Sequence, residues 1–274
     1  MKRIGCLGPK ATFSHEAVVA KEGKDVQPIF FKSFGRLVQG LVSQEIDEAA
    51  IPVTNLESGG TSGREVIMLN NGTVKVVSEL VLPVRHHLIA ASDTDLTDIT
   101  IVMSKMEALG QCQEWFEANI PDAEQKEASS SAAAVESLNQ NAIGIVAVGS
   151  ELAAREYDKK ILVRNIQDRA DNATHFLFIA RENNNKITGK DKTSLVFGLK
   201  NEHGSLYNAI APFAVLDISM GKIVSMDSKR NLRDVIFWVD IEGHKEEPKI
   251  QVALEQFRKR TEFLHILGSY PRVI

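Results

Sequence analysis

The sequence predicts an α/β fold in two lobes, followed by a smaller C-terminal domain. Over the first two thirds of the chain, short apolar segments alternate with amphipathic segments, which is typical of a mostly parallel sheet covered by helices. Residues 182–191 are polar and poor in helix formers, which favours a linker. The residues after them follow a βαββαβ pattern, the order of a ferredoxin-like domain.

The first lobe is predicted at residues 1–75, with strands at 3–7, 28–32 and 48–53. Gly8-Pro9 ends the first strand, and a helix is expected at 11–21 with Thr12 or Ser14 as its cap. Ser33 is expected to cap a second helix, whose apolar residues recur on one face. The last strand leads into a loop at 54–60.

The second lobe is predicted at residues 76–165, and the chain returns to the first lobe at 166–182. Its expected strands are 75–84, 86–91, 100–103 and 142–148, with a returning strand at 176–181, and its expected helices are 105–119, 129–139 and 150–157. The serine cluster before residue 132 is a capping signal. Such two-lobed folds bind ligands in the crevice where strand ends and helix N-termini converge.

The C-terminal domain is predicted at residues 192–274. Its expected strands are 193–199, 218–225, 235–241 and 263–267, and its expected helices are 205–216 and 250–261.

Composition excludes several classes of protein. With 274 residues, 43% hydrophobic residues and a net charge of −4, the chain has enough apolar residues for a core and no basic surplus for a nucleic-acid partner. Two cysteines are too few for a disulfide scaffold. The sequence has no apolar stretch that could span a membrane and no apolar signal segment, so we expect a cytoplasmic protein without a membrane partner.

Several short motifs then identify a family. The segments Asp240-Ile241-Glu242-Gly243-His244 and Leu267-Gly268-Ser269-Tyr270-Pro271 resemble the regulatory ACT domain appended to prephenate dehydratases. The segment from Gly8 to Ser14 resembles the opening motif of the same family. Further matches follow in the family's order and spacing at residues 51–55, 108–112, 129–132 and 172–176. The resemblance covers essentially the whole chain.

The resemblance implies a fold and a reaction. It implies a bilobal, periplasmic-binding-protein-like catalytic domain at 1–182 and an ACT regulatory domain at 192–274. The family converts prephenate, a dianion, to phenylpyruvate with loss of carbon dioxide and water, and it needs no metal or organic cofactor. That agrees with a sequence lacking phosphate-loop, dinucleotide and zinc motifs. By resemblance, Thr174 protonates the leaving hydroxyl, and Asn55 shares the catalytic site.

Other residues are expected to bind the substrate. They are Thr12, Phe13, Ser14, His86, Lys105, Ser129, Ser130, Ser131, His175 and Phe176. Hydroxyl groups and amides at helix starts suit carboxylate binding. Each feature also has a structural alternative: helix capping for the serines and threonine, a turn for Asn55, and a solvated lysine at a helix start for Lys105.

The catalytic motifs depart from the family pattern at three places. Thr54-Asn55-Leu56 stands for Glu-Asn-Ser, Lys105-Met106-Glu107 for His-Pro-Gln, and Thr174-His175-Phe176 for Thr-Arg-Phe. An arginine binds a carboxylate through two hydrogen bonds, which histidine cannot reproduce. We expect Lys105, or Arg85 with His86 and His87, to restore positive charge.

The ACT motifs depart too. His203-Gly204-Ser205-Leu206 stands for Pro-Gly-Ala-Leu, and Val224-Ser225-Met226-Asp227 stands for Glu-Ser-Arg-Pro. In feedback-inhibited members these loops bind phenylalanine at a dimer interface. By resemblance, Gly204, Ser205, Leu206 and Ser225 are the candidate residues for an amino-acid effector. A different ligand, or a purely dimerising role, is the alternative, and we expect a homodimer or homotetramer.

Three functions fit these residues. The first is a prephenate dehydratase of aromatic amino-acid biosynthesis. The second is a non-aromatising prephenate decarboxylase, which keeps the ring hydroxyl and which the altered motifs favour. The third is a non-catalytic regulatory protein that binds an amino acid or prephenate. Retention of Thr174 favours the first over the second.

Overall fold

A computed structural model of the chain describes residues 1–70, 72–139, 143–227 and 235–273. The chain divides into two units. The first comprises Met1–Leu37, Thr54–Gly60 and Val81–His175, and the second comprises Val38–Val53, Thr61–Leu80 and Phe176–Ile274. The predicted lobe and domain boundaries stay a prediction.

The first unit begins with a parallel βαβ arrangement. Strand β1 (Lys2–Leu7) pairs in parallel with β2 (Val26–Phe31), and helix α1 (Phe13–Glu22) connects them. Thr12 is the N-cap of α1: its Oγ1 accepts a hydrogen bond from the backbone N of His15 at 3.4 Å and donates to the carbonyl of Leu7 at 3.0 Å. Of the two predicted caps, Thr12 is the one that forms.

A five-stranded sheet forms the rest of the first unit, in the order β10-β6-β9-β7-β8. Its strands are β6 (His87–Ala90), β7 (Ile101–Ser104), β8 (Glu124–Glu127), β9 (Ile145–Gly149) and β10 (Lys160–Val163). The helices are α4 (Met106–Gly110), α5 (Gln113–Asn119), α6 (Ser131–Ser137) and α7 (Glu151–Glu156). Strand β7 is parallel to β8 and β9, whereas β6 is antiparallel to β9 and β10. Apolar side chains including Leu88, Val102, Phe116 and Val146 form a buried core.

Several elements have residues in both units. They are α2 (Phe34–Val42), β3 (Glu48–Asn55), β5 (Lys75–Pro83) and β11 (Ala173–Ala180). Strands β3, β11 and β5 are neighbours in that order, and the short strand β4 (Gly59–Gly60) pairs with the end of β3. Helix α3 (Ser62–Leu69) belongs to the second unit.

The end of the second unit confirms the predicted ferredoxin-like topology. Its elements are β12 (Asp191–Gly198), α8 (Ser205–Val215), β13 (Met220–Asp227), β14 (Val235–Glu242), α9 (Pro248–Arg258) and β15 (Phe263–Pro271). The antiparallel sheet has the order β13-β14-β12-β15. Phe197, Phe213 and Phe257 pack between the sheet and the helices. Burial of these large rings supplies much of the domain's hydrophobic stabilisation.

Some predicted elements are wrong. The single helix expected at 105–119 is two helices, because Cys112, the residue before α5, has the non-helical angles φ −128° and ψ 17°. The loop expected at 54–60 contains β4. The elements α3, β8 and β10 were not predicted from the sequence. Residue 142, the predicted start of β9, lies outside the described residues. None of the described helices combines the length and the apolar character needed to cross a membrane.

Candidate active site

Asn55, the last residue of β3, is the centre of a buried hydrogen-bond cluster in the first unit. Its Oδ1 accepts from the backbone N of Glu57 at 3.0 Å and from the backbone N of Ser58 at 2.9 Å. These two donors fix the orientation of the amide, so its Nδ2 must face the other way. There Nδ2 donates to Oδ1 of Asn172 at 2.9 Å and to Oγ1 of Thr174 at 3.0 Å.

The orientation of Asn55 determines what the Thr174 hydroxyl can do. An amide nitrogen only donates, so the oxygen of Thr174 is the acceptor in this contact. Its own O–H therefore stays available as a donor, and no acceptor for it lies among the residues that the structure describes. Thr174 is 9% exposed, so solvent has little access to this donor.

Asn172 is a third member of the cluster and is absent from the predicted site residues. Its side chain is 1% exposed, and its Nδ2 has no hydrogen-bond acceptor in the described part of the chain. Its carbonyl accepts from the backbone N of Val84 at 2.9 Å, which ties the cluster to the segment that leads to His86. Asn172 stands within the motif at residues 172–176, but its pairing with Asn55 depends on a contact 117 positions away.

Phe13 and His86, two predicted binding residues, lie in contact. Their rings are 5.5 Å apart at an angle of 84°. Nε2 of His86 lies 2.9 Å from Oε1 of Gln111, which can only accept, so the proton is on Nε2. The buried Nδ1 of His86 is then an acceptor, and it has no donor among the described residues. Gln111, like Asn172, stands in a matched motif and was not predicted as a site residue.

The expectation that His86 and His87 add positive charge is wrong. Both side chains are buried, and desolvation lowers the pKa of each below the ordinary histidine value. The Nδ1 of His87 also accepts a hydrogen bond from the backbone N of Asn165 at 3.1 Å. Both rings are therefore neutral near pH 7. Arg85, which is exposed, donates instead to the carbonyl of Ala170.

The predicted serines lie at the start of α6. Oγ of Ser130 accepts from the backbone N of Ala133 at 3.0 Å and so caps the helix. Oγ of Ser131 lies 2.9 Å from Oγ of Ser104, while Ser129 is exposed. Ser14 is buried within α1. The capping alternative thus accounts for Ser130, as it does for Thr12.

Lys105 and His175, two further predicted binding residues, lie in solvent and on the opposite face of β11 from Thr174, respectively. Lys105 is exposed, and its Nζ forms a 2.8 Å ion pair with Glu107. His175 is the next residue to Thr174 on β11, and successive side chains of a strand point to opposite faces. Thr174 shares its face with Asn172 and with Phe176, which is 1% exposed, whereas His175 belongs to the other face.

The comparison with protein families decides what this site belongs to. A family model described as prephenate dehydratase matches residues 4–184, which include every member of the cluster. The chain belongs to the prephenate dehydratase family.

Relatives that match nearly the whole chain agree with this assignment. A bifunctional chorismate mutase/prephenate dehydratase of Aquifex aeolicus is 39% identical over 99% of this chain and 74% of its own length. The prephenate dehydratase of Bacillus subtilis is 25% identical over 98% of both chains. The crystal structure of an Arthrobacter aurescens prephenate dehydratase in complex with L-Phe superimposes with a TM-score of 0.90, at 26% identity, over 98% of this chain and 90% of that one.

The residues predicted for an effector lie in the second unit. Gly204 precedes α8 with φ +77°, a conformation that suits glycine, and Ser205 and Leu206 are the first residues of the helix. Ser225 lies on β13 opposite Phe237 of β14. Their role as an effector site in this member of the prephenate dehydratase family stays a prediction.

Proposed function

We propose that this chain, a carbon–oxygen lyase of the prephenate dehydratase family, converts prephenate to phenylpyruvate with Thr174 as the donor to the leaving oxygen. The observation that carries the proposal is the hydrogen bond from Nδ2 of Asn55 to Oγ1 of Thr174, which leaves the O–H of Thr174 able to donate. A buried donor of fixed orientation stabilises charge that develops on a departing oxygen.

The chemistry needs one proton and no external reductant. The bond between the ring and its carboxylate breaks, carbon dioxide leaves, and the bonding electron pair moves into the ring. That pair expels the ring hydroxyl, which leaves as water after taking up a proton. Since aromatisation drives the reaction, the protein has to orient prephenate and assist the departure of the hydroxyl.

The remaining residues are proposed to hold the substrate. The contact between Phe13 and His86 supports a wall of the site, and the neutral His86 contributes hydrogen bonding rather than charge. Thr12, Ser14, Ser129, Ser130 and Ser131 are proposed through their backbone amides and hydroxyls at helix starts. Contacts of Lys105 and Phe176 with prephenate are proposed on the family motif alone, and His175, on the face of β11 opposite Thr174, is proposed not to contact the substrate.

The proposal extends to the organisation of the chain. Residues 1–182 are proposed as the bilobal catalytic domain, with lobes at about 1–75 plus 166–182 and 76–165, and residues 192–274 as an ACT regulatory domain. Its ferredoxin-like topology supports that role. An amino-acid effector near Gly204 and Ser225, a homodimer or homotetramer, and a cytoplasmic location complete the proposal.

Identification of the product by mass spectrometry tests the reaction. Purified protein is incubated with prephenate at neutral pH, beside a protein-free control that measures spontaneous breakdown. We expect phenylpyruvate in excess of the control. A product heavier by one water, without the aromatic ring, would instead identify the non-aromatising decarboxylase, and unchanged prephenate would contradict both reactions.

A further inference from the structure

A separate cavity of about 400 Å³ lies within the second unit and shares no residue with the candidate active site. Three basic side chains line it: Lys75 at the start of β5, Arg181 directly after β11, and Lys245 in the loop before α9. The acidic lining residue is Glu182, whose carboxylate accepts from Nδ2 of Asn184 at 3.3 Å. Basic groups therefore outnumber acidic groups three to one.

The two lysines of this cavity lie close enough to repel each other. Nζ of Lys75 donates to the carbonyl of Ile266 at 2.9 Å, which holds the ammonium group in place. Burial and the nearby charge of Lys245 lower the pKa of Lys75 below the ordinary lysine value. A bound anion would relieve this repulsion.

Among the described residues, no acidic side chain takes the place of such an anion beside these two lysines. In the parts of the chain that the structure describes, no carboxylate lies within ion-pair distance of Lys75 or Lys245. Lys192, a half-buried lysine of the same unit, does have carboxylate partners: its Nζ lies 2.6 Å from Glu79 and 3.7 Å from Asp240. Buried lysines are normally paired in this way.

The wall of the cavity is held in place before any ligand binds. Nδ2 of Asn183 donates to the carbonyl oxygens of Val76, at 2.7 Å, and Ser269, at 3.0 Å. The backbone N of Lys245 donates to Oγ of Ser269 at 3.0 Å. A Cβ on Gly268 would lie 2.2 Å from the carbonyl oxygen of Val76, so the strands approach closely only because this residue is glycine. A preorganised site loses less free energy in ordering when a ligand binds.

We propose that this cavity binds a small dicarboxylate anion, with one carboxylate between Lys75 and Lys245 and the other near Arg181. Three cationic groups and one anionic group favour a dianion over a monoanion. Ammonium and guanidinium groups donate strong, charge-assisted hydrogen bonds to carboxylate oxygens. The site is distinct from the catalytic cluster of Asn55 and Thr174 and does not depend on the proposed reaction.

Calorimetric titration of the full chain at constant ionic strength tests the proposal. The probes are succinate and butyrate, which have the same number of carbons and differ by one carboxylate, and inorganic phosphate. We expect succinate to bind at least tenfold more tightly than butyrate and more tightly than phosphate. No binding of succinate, equal affinity for butyrate, or tighter binding of phosphate would each overturn the proposal.

Two charge-neutralising variants locate the binding. Lys245→Gln removes one positive charge from the cavity and should weaken succinate binding at least tenfold. The backbone hydrogen bond from residue 245 to Ser269 is retained, so the loop should keep its conformation. Lys186→Gln, in the polar segment 182–191 and outside the cavity, removes an equal charge and should change the affinity less than twofold. Arg181→Gln is a second cavity variant should Lys245→Gln fail to fold. Equal succinate affinity in the folded cavity variant and the original protein would contradict the assignment, as would an equal loss of affinity in Lys186→Gln and in the cavity variant.

Discussion

Replacement of Thr174 by valine should separate catalysis from stability. Nδ2 of Asn55 has two hydrogens and three acceptors: Oδ1 of Asn172 at 2.9 Å, Oγ1 of Thr174 at 3.0 Å and the carbonyl of Ala173 at 3.3 Å. Valine removes one acceptor and leaves two for the two hydrogens. No buried donor becomes unpaired, so the free energy of unfolding should fall by about 1 kcal/mol or less.

The catalytic loss should be much larger. Thr174→Val deletes the donor to the leaving oxygen, and loss of such a proton-transfer group typically lowers the rate by about 10²–10⁴-fold. That corresponds to about 3–5 kcal/mol of transition-state stabilisation. The assay follows phenylpyruvate formation for kcat and urea denaturation for stability in the same preparation. Thr174→Ser, which keeps the hydroxyl, is the matched control and should retain kcat within about tenfold.

Two results would refute this reasoning. A Thr174→Val variant with unchanged kcat would remove the hydroxyl from the mechanism. A variant destabilised by much more than 1 kcal/mol would show that Asn55 depends on Thr174, contrary to the count of its acceptors.

Three further predictions address pH, packing and charge. Burial raises the pKa of Glu16 to about 7 from 4.5, so between these pH values the folded protein keeps a proton that the unfolded chain has lost. The free energy of unfolding should therefore fall as the pH rises from 4.5 to about 7. Urea denaturation at pH 5 and pH 8 should show a smaller fall in Glu16→Gln than in the original protein. Gly63→Ala should lower the free energy of unfolding by about 1–3 kcal/mol, because its Cβ would lie 2.2 Å from the carbonyl oxygen of Pro52, and an unchanged Tm would contradict this clash. His175→Arg should leave KM for prephenate unchanged, since residue 175 belongs to the face of β11 opposite Thr174; a lowered KM would indicate a direct contact.

Elements with a strong apolar pattern were predictable from the sequence. The βαββαβ domain has alternating strands and helices with apolar faces, and its observed order matches the prediction. Strand β8 was missed because all four of its residues, Glu124–Glu127, are polar and exposed at the edge of a sheet. Its pairing with β7 depends on backbone hydrogen bonds, which side-chain periodicity does not record. Helix α3 contains a glycine, and no side chain caps its first turn.

The site was predictable only in part for a similar reason. Asn55 and Thr174 were identified by resemblance, but their hydrogen bond joins residues 119 positions apart. Asn172 and Gln111 lay within matched motifs, yet their roles come from partners that local sequence cannot specify. The neutral state of His86 follows from burial, which the polar run Arg85-His86-His87 in the sequence does not reveal.

The alternation of side chains along β11 has a consequence for how this family can vary. Because Asn172 and Thr174 share one face and His175 lies on the other, a mutation at residue 175 leaves the hydrogen bonds of Asn55 in place. The hydrogen bonds of Asn55 therefore place no direct requirement on the side chain at residue 175, although that residue directly follows Thr174 in the motif. A search for functional divergence should weigh every second position of this strand together rather than the motif as a block.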